Sequence, residues 1–179
     1  MGTIRKPLFV KLFTGMLSGD PSLFDAAEAA LSERYGPVDL RSGVLPWPVT
    51  DYYRNELGDS LLRKFIFFER PADPGDLASC KMFTNELEDR FAVPAAGKTR
   101  RRINIDPGYV TEAKVVLAST KDFSHRVYLG AGIYAEATLE FHDGAYVPTR
   151  TTYPEFRSDD MRRLFSEARV LLRRDLGRK

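Results

Sequence analysis

An α+β domain is the fold class that the sequence predicts, with a ferredoxin-like split β-α-β-β-α-β core, a C-terminal β-hairpin extension and a terminal helix. The first observation is the order of elements, because strand-forming runs and capped helical segments follow one another in that succession. The second is the composition, since 43% hydrophobic and 12% aromatic residues suffice for a hydrophobic core. The third is the length of 179 residues without a repeat, a low-complexity tract or a long linker, which predicts one domain over residues 1–179.

The first half of the core follows from residue type and capping. Residues 8–17, LFVKLFTGML, are rich in strand-forming residues. Asp20 offers a side-chain cap and Pro21 suits the first helical position, so we predict a helix from there to a Gly-Pro pair. Residues 38–47 predict a weaker strand. Residues 61–70, LLRKFIFFER, predict the most apolar strand, which suits a central position in the sheet.

The second half of the core is predicted in the same way. A helix begins at Asp73, and apolar residues between 77 and 91 recur at helical spacing. A loop then leads to a short strand at residues 101–106, which we expect to stop at Pro107 because proline cannot donate to a strand ladder. Residues 111–120, TEAKVVLAST, carry both helix-start and strand signals, and we predict a short helix there.

The C-terminal extension is predicted to contain three strands and one helix. Residues 125–130 and 132–142 form two strands that meet at a glycine-rich connection. The His-Asp-Gly string at 142–144 predicts a tight turn into a last strand at 145–149. Ser158 caps the final helix, whose apolar residues form a stripe along one face. This stripe predicts that the helix docks on the rest of the domain.

Charge and cysteine content exclude several classes of protein. The chain has 27 basic and 25 acidic residues, a net charge of +2, so overall charge gives no reason to expect a DNA-binding protein. A single cysteine excludes an intramolecular disulfide framework, and Cys80, His125 and His142 are too few for a structural zinc site. Lys11 interrupts the N-terminal apolar run, and no segment approaches the ~20 apolar residues of a membrane helix. We therefore expect a cytoplasmic protein without a membrane partner.

The string AVPAAGKT at residues 92–99 matches a relaxed phosphate-loop pattern in the wrong context. A phosphate loop follows a strand and precedes a helix, whose N-terminal amides bind the phosphate. Here a helix precedes and a strand follows, and Pro94 removes one of the amides. We interpret the match as accidental. The arginines that follow it form a basic edge, for which a solvated surface is the commoner explanation.

Ionisable residues are concentrated between residues 103 and 141, among mostly apolar side chains. The string DPGY is typical of a turn. In KDFSHR, strand alternation would direct His125 and Arg126 to opposite sides. Glu136 can meet Arg126 or Lys121 from the preceding strand, either as a cross-strand ion pair or as the lining of an anion or metal pocket. The opposite face of its strand is predicted to carry Ile133, Ala135, Ala137, Leu139 and Phe141.

Eight strings spread over nearly the whole chain occur in a specific order, namely KLFTGMLS, VTDYYRNELG, KFIFFER, KMFTNELED, IDPGYVT, KDFSHRVYLG, GIYAEATL and TYPEFRS. They resemble the motifs of a prokaryotic family catalogued as a domain of unknown function, DUF 4416. The resemblance implies a single-domain cytoplasmic protein and supplies no established reaction. It marks as motif residues Asp51, Tyr52, Tyr53, Asp106, Gly108, Tyr109, Lys121, Asp122, His125, Arg126, Glu136, Tyr153, Pro154 and Arg157.

From these residue types we expect a pocket for a small anionic ligand, such as a nucleotide or another phosphorylated metabolite. His125 is a candidate acid or base because a histidine titrates near neutral pH. Asp106 and Glu136 are candidate bases or magnesium ligands. The candidate ligand-binding residues are Lys121, Arg126, Arg157, Tyr109, Tyr153, Asp51 and Tyr53.

Two alternatives belong to other functional classes. The first is a non-catalytic module that binds RNA or a protein through its sheet and its basic edge. The second is a structural homo-oligomer in which the polar cluster only fixes the strand register. The three hypotheses differ in whether the candidate side chains converge on one concave pocket, which is a property of the tertiary structure.

Overall fold

The computed structural model describes residues 2–47, 54–57, 60–95 and 98–178. This part of the chain contains eleven strands, four α-helices, of which α2 is a single turn, and two short 3-10 helices at Pro74–Asp76 and Pro154–Arg157. The strands are β1 (Lys11–Ser18), β2 (Val38–Arg41), β3 (Leu45–Pro46), β4 (Leu62–Phe68), β5 (Val93–Ala95), β6 (Lys98–Arg100), β7 (Ile103–Val110), β8 (Lys114–Ser119), β9 (Val127–Gly130), β10 (Ile133–His142) and β11 (Ala145–Pro148). The helices are α1 (Ser22–Tyr35), α2 (Arg54–Leu57), α3 (Leu77–Phe91) and α4 (Asp159–Asp175).

One large antiparallel sheet forms the centre of the fold, which confirms a mixed α and β architecture. Its strand order is β11-β10-β8-β7-β1-β4-β2, with β3 paired to β4 and β9 paired to β10. The sheet therefore has nine strands and is larger than the predicted four-stranded core, because the C-terminal strands continue it. Strands β5 and β6 form a separate hairpin. The hairpin follows α3 directly. A helix and not a strand therefore precedes the AVPAAGKT string, which is the reverse of the order in a phosphate loop.

The predicted short helix at residues 111–120 is wrong, because this segment forms strand β8. Val115 and Val116 pair with β7 on one side and with β10 on the other, and both are buried. Branched side chains of this kind pack well in a buried sheet, and pairing on both sides overrides a weak helix signal. The apparent helix cap belongs to a turn, in which the Thr111 hydroxyl accepts a hydrogen bond from the Lys114 amide at 2.9 Å.

The predicted stop at Pro107 and the predicted DPGY turn are also wrong. Strand β7 runs through Pro107 and pairs with β1 from Ile103 to Val110. Its pairing with β8, however, covers only residues 108–110. Pro107 is thus the first β7 residue beyond the β8 ladder, a position that suits a residue without an N–H group. From this point the two neighbouring strands are no longer hydrogen-bonded to each other.

The two faces of the sheet carry separate apolar clusters, each covered by helices. Helices α1 and α3 cover one face, where Phe24, Leu31 and Leu87 pack among buried β1, β4 and β7 side chains. Helix α4 covers the other face, where Phe165 packs against Phe13 with ring centroids 5.0 Å apart. The predicted stripe of α4 is confirmed by its buried residues Met161, Phe165, Ala168 and Leu172. Within the described residues, no helix combines the length and the apolar composition that crossing a membrane requires.

A β-bulge in β10 decides which side chains face α4. The register with β8 shifts between Ala137 and Leu139, so Thr138 is an extra residue in the ladder. Leu139 therefore joins the apolar cluster under α4, on the same face as Glu136, whereas Ala137 lies on the opposite face. The predicted alternation is wrong beyond Ala137, because a bulge reverses the two faces and leaves no clear mark in the sequence.

We predict that Gly108→Ala lowers the free energy of unfolding by about 3 kcal/mol, because overpacking forces neighbours apart. A methyl group there would lie 2.4 Å from the Val116 carbonyl oxygen and 2.5 Å from Cζ of Phe13. The matched control is Gly43→Ala, where no atom lies within 4 Å of the added carbon. Urea denaturation should show a change of less than about 0.5 kcal/mol for the control. Equal effects in the two variants would contradict the close packing at Gly108.

Candidate functional site

A cavity of about 190 Å³ opens where β7 and β8 separate. Asn104 and Asp106 of β7 line one side of it, and Ala118 and Ser119 of β8 line the other. The lining side chains that carry charge are the five cations Arg63, Lys81, Arg101, Lys121 and Arg126 and the three carboxylates Asp106, Glu136 and Glu155. Cations outnumber carboxylates among these lining side chains, and one of the cations, Arg101, is paired with Glu56 and Glu88.

Two side chains of α3 replace the hydrogen bonds that β8 would otherwise make to β7. The Ile105 amide donates to Oε1 of Glu88 at 2.7 Å. Nζ of Lys81 donates to the Ile105 carbonyl oxygen at 2.9 Å. Both α3 side chains are buried, and both backbone groups of Ile105 would be unpaired without them. A lysine and a glutamate thus complete the open edge of the strand, and the lysine also lines the cavity.

Asp106 is held as a carboxylate by its neighbours. Nζ of Lys81 lies 3.0 Å from its Oδ1, and the Asn104 amide donates to its Oδ2 at 2.6 Å. Burial acts to raise the pKa of Asp106, but the charges of Lys81 and Arg63 outweigh burial and hold that pKa below its usual value. Burial does raise the pKa of Glu88, despite the attraction of Lys81. Asp106 is therefore suited to accept hydrogen bonds rather than to donate a proton.

Arg63 approaches the cavity from β4, over the surface of Gly15. One of its terminal nitrogens lies 2.9 Å from Oε1 of Glu155, whose other oxygen accepts from the Trp47 indole at 3.1 Å. A side chain at Gly15 would lie 3.0 Å from the guanidinium, so glycine leaves the space that Arg63 occupies. The guanidinium also lies over the ring of Phe65, 4.9 Å from its centroid. Arg63 is buried, and its Nε has no hydrogen-bond partner among the described residues.

Glu136 lies at the centre of a second polar group on the opposite wall. Its Oε2 accepts from Nε of Arg126 at 2.9 Å and lies 2.6 Å from Nε2 of His125. Arg126 also donates to the hydroxyls of Ser119 and Tyr153, at 2.7 and 2.8 Å. Burial acts to lower the pKa of Arg126, but the hydrogen bond and charge of Glu136 outweigh burial and raise it. The other oxygen of Glu136, Oε1, is buried and has no partner in the described part of the chain.

The expectation that His125 and Arg126 point to opposite sides is wrong. Both contact the same oxygen of Glu136, because the strand begins only at Val127. The preceding residues form a turn, in which the Arg126 amide bonds to the Phe123 carbonyl oxygen at 2.9 Å. Strand alternation does not apply within such a turn. The KDFSHR string is therefore a connection that brings two cationic or titratable side chains to one carboxylate.

Five of the predicted site residues line the cavity, namely Asp106, Glu136, Lys121, Arg126 and Tyr153. His125 reaches the site only through Glu136 and is not among the lining residues. Tyr109 lines a separate groove beside Pro74 and Leu172. Arg157 donates to the carbonyl oxygens of Thr149 and Thr152, at 2.9 and 3.0 Å, and so holds the loop before α4. Asp51 and Tyr53 lie outside the described residues.

Sequence reasoning missed Arg63, Lys81, Glu88 and Glu155. A signal was present for the first three, because each is a charged residue at a position where an apolar one was expected. Arg63 interrupts the most apolar strand, and Lys81 and Glu88 lie on or beside the apolar face of α3. Buried charges of this kind require partners, so such positions indicate a polar site more sharply than charged loops do.

The carboxylates of the cavity are neutralised by side chains. Lys81 pairs with Asp106, and Arg126 pairs with Glu136. In the part of the chain that the structure describes, no group of three or more His, Cys, Asp or Glu residues is arranged to hold a metal ion. Asp106 and Glu136 therefore do not fit the expected role of magnesium ligands, which need a cluster of oxygen donors.

Comparison with protein families gives a match over most of the chain. The model of a family described as a domain of unknown function, DUF4416, matches residues 8–171. The chain belongs to this family. Every residue that lines the cavity falls within the matched range. A search of curated proteins and a search of solved structures each found no match. The function of this family member must therefore be inferred from its own geometry.

We predict that Lys81→Met lowers the free energy of unfolding by about 3 kcal/mol, because it removes a buried cation shared by Glu88 and the half-buried Asp106 and leaves the Ile105 carbonyl oxygen without its donor. The control is Arg163→Met, because Arg163 and its partner Asp160 are both exposed on α4. Breaking that pair should cost at most about 1 kcal/mol. Chemical denaturation of both variants measures the difference. A Lys81→Met variant as stable as the control would show that β7 does not need the lysine.

The lowered pKa of Asp106 predicts how the free energy of unfolding depends on pH. A carboxyl group whose pKa is lower in the folded state stabilises the protein above its unfolded pKa, and this contribution is lost as pH falls through the folded value. Asp106→Asn should therefore be less stable than wild type at pH 7, and the gap should narrow below about pH 4. Urea denaturation at pH 7, 5 and 3 checks this. The control is Asp25→Asn, which changes an exposed carboxylate. A stability difference between Asp106→Asn and wild type that stays constant from pH 7 to pH 3 would contradict the lowered pKa of Asp106.

Proposed function

We propose that the cavity between β7 and β8 binds a small anionic ligand, such as a phosphorylated or carboxylated metabolite. The observation that carries this proposal is the convergence of five cationic side chains and three carboxylates on one concave surface. Each carboxylate is bonded to a lysine or an arginine of the same surface, so these pairs hold the charged side chains in place around the cavity. Arginine and lysine donors in such a site are suited to phosphate and carboxylate groups.

The size of the cavity limits what it encloses. Pockets for drug-sized ligands measure about 300–1,000 Å³. The cavity here measures about 190 Å³, so it suits a small metabolite or a single charged group of a larger one. If the ligand is a nucleotide, we propose that its phosphate enters the cavity and that its base lies outside.

The side chains have different roles in this proposal. Arg63 and Lys121 supply positive charge toward the ligand, from the β4 side and from the mouth respectively. Asp106 and Glu136 hold Lys81 and Arg126 in position. His125 is a positioning residue, because it bonds to the Glu136 oxygen that also accepts from Arg126. Any proton transfer by His125 would have to pass through the Glu136 carboxylate or require movement of the turn that carries it.

We also infer that the first four core strands have a ferredoxin-like arrangement. Strands β7, β1, β4 and β2 are adjacent in that order, which places the first and third core strands at the centre. Helices α1 and α3 contribute to one apolar cluster on the same face of these strands. This arrangement is what a β-α-β-β-α-β succession produces when both helices cross on one side. The short strand β3 and helical turn α2 then lie as an insertion between β2 and β4.

The RNA-binding alternative is not favoured by the basic edge, because Arg101 pairs with Glu56 and Glu88, and Arg102 pairs with Asp20. The arginines of α4 are also paired with acidic neighbours, Arg162 with Asp159 and Arg163 with Asp160. Arg169 lies over the ring of Phe141 and donates to a backbone carbonyl oxygen. Paired arginines offer less charge to a phosphate backbone, whose binding depends on release of counterions. This alternative predicts affinity for single-stranded RNA that falls steeply with salt.

A ligand-panel thermal shift tests the proposed function. The panel contains inorganic phosphate, nucleoside phosphates, and small phosphorylated or carboxylated metabolites. We expect at least one of them to raise the melting temperature of the wild-type protein, since a ligand that binds only the folded state stabilises it. Arg126→Ala should abolish the shift, and His125→Ala should reduce it by less. A panel without any shift, together with a destabilised Arg126→Ala variant, would support the structural homo-oligomer alternative instead.

Lys121→Ala gives the most direct test of charge at the mouth of the cavity. Lys121 is exposed, so we expect the substitution to change the melting temperature little while weakening the anion affinity roughly tenfold. Lys114→Ala is the matched control, because it removes an exposed lysine at the opposite end of β8. Isothermal titration with the best ligand of the panel compares the two. Equal affinities in both variants would place the anion elsewhere on the protein.

A further inference from the structure

We propose that the anionic ligand also carries a hydroxyl group, which donates a hydrogen bond to Oε1 of Glu136. This inference rests on the proposed function and narrows its ligand class to hydroxylated acids, with either a carboxylate or a phosphate as the acidic group. It follows from two buried atoms that the protein itself leaves unpaired, on two side chains that line the cavity, with opposite hydrogen-bonding character.

The first atom is Oε1 of Glu136. The Glu136 side chain is only 3% exposed, and it lines the cavity. Its Oε2 is engaged by Arg126 and His125, whereas Oε1 has no partner within the described residues. An ionised carboxylate oxygen can only accept hydrogen bonds. The ligand group that satisfies it must therefore be a donor, which phosphate dianions and simple carboxylates do not provide.

The second atom is Nε of Arg63, which has the opposite requirement. The Arg63 side chain is 7% exposed, lines the same cavity and uses a terminal nitrogen to bind Glu155. Its Nε is buried without a partner in the part of the chain described. A guanidinium only donates, so the ligand must offer an acceptor here. A molecule with an acidic oxygen at one end and a hydrogen-bond donor at the other would pair with both Nε of Arg63 and Oε1 of Glu136.

The donor is a hydroxyl rather than an ammonium group because of the charge already present. Glu136 is paired with Arg126, and the lining carries five cationic side chains against three carboxylates. An ammonium group would add a further positive charge beside Arg126, in a site of low dielectric where like charges repel strongly. A neutral hydroxyl donates to Oε1 without this repulsion.

Matched ligand pairs test the inference on the wild-type protein. In the carboxylate arm, lactate is compared with propionate, which lacks the hydroxyl, and with alanine, which replaces it by an ammonium group. In the phosphate arm, glycerol 3-phosphate is compared with propyl phosphate. We expect the hydroxylated member of the arm that binds to have at least tenfold higher affinity, a difference of about 1.4 kcal/mol. The arm with the higher affinity identifies the acidic group.

Glu136→Gln assigns the preference to the carboxylate. Arg126 and His125 engage Oε2, so the glutamine carbonyl oxygen replaces that atom and the amide NH₂ replaces Oε1, which turns an acceptor into a donor. The affinity ratio between the hydroxylated and plain ligands should then fall to about one or below it. The control is Glu140→Gln, which changes an exposed carboxylate on the same strand and should leave the ratio as in wild type.

The possible outcomes separate this inference from the proposed function. Binding of both members of each pair with equal affinity would overturn the hydroxyl assignment and leave the anion site standing. Tighter binding of alanine than of lactate would also overturn it, in favour of an ammonium group. No binding of any ligand in either arm would overturn both proposals. The wild-type comparison decides between these results even if Glu136→Gln does not fold.

Discussion

The candidate site depends on the edge of β7 at Ile105, where β8 no longer forms ladder hydrogen bonds with it. Strands β7 and β8 are neighbours in the sheet, but their ladder ends at Gly108. A strand edge exposed within a fold needs partners for its amide and carbonyl groups. Lys81 and Glu88 provide them from α3, and their charges then require Asp106 and Arg101 as further partners. The opening in the sheet thereby becomes a charged cavity instead of an apolar gap.

The buried ion pairs of this cavity are poor candidates for a purely stabilising role. Desolvation of two charges consumes most of their attraction, and apolar residues of similar volume are often as stable. Three such pairs lie around one small volume, those of Lys81, Arg63 and Arg126. A continuous apolar core, like the one under α4, would stabilise this position without buried charges. The concentration of paired charges is one of the observations that support the proposed binding site.

The family motifs acquire a physical meaning from this arrangement. In the DPGY string, Asp106 binds Lys81, Pro107 stands where the β8 ladder ends, and Gly108 leaves room for the ring of Phe13. In the KDFSHR string, the turn brings His125 and Arg126 to the same carboxylate oxygen of Glu136. The two strings come from opposite walls of one cavity. The DPGY string is part of strand β7, and the KDFSHR string is a turn on the other side of the opening.

The sequence by itself determined the elements whose signals are local. Capping residues, helical stripes and strand-forming runs located α1, α3, α4 and most strands, and the polar segment from Asp106 to Glu136 marked the region of the site. Only the tertiary structure decided that residues 114–119 form a strand, that β7 continues past Pro107 and that Thr138 reverses the faces of β10. It also brought Lys81 and Arg63 to the cavity, through contacts between residues 24 or more positions apart. Pairing between distant strands sets these features, and their energies outweigh the local preferences that a sequence displays.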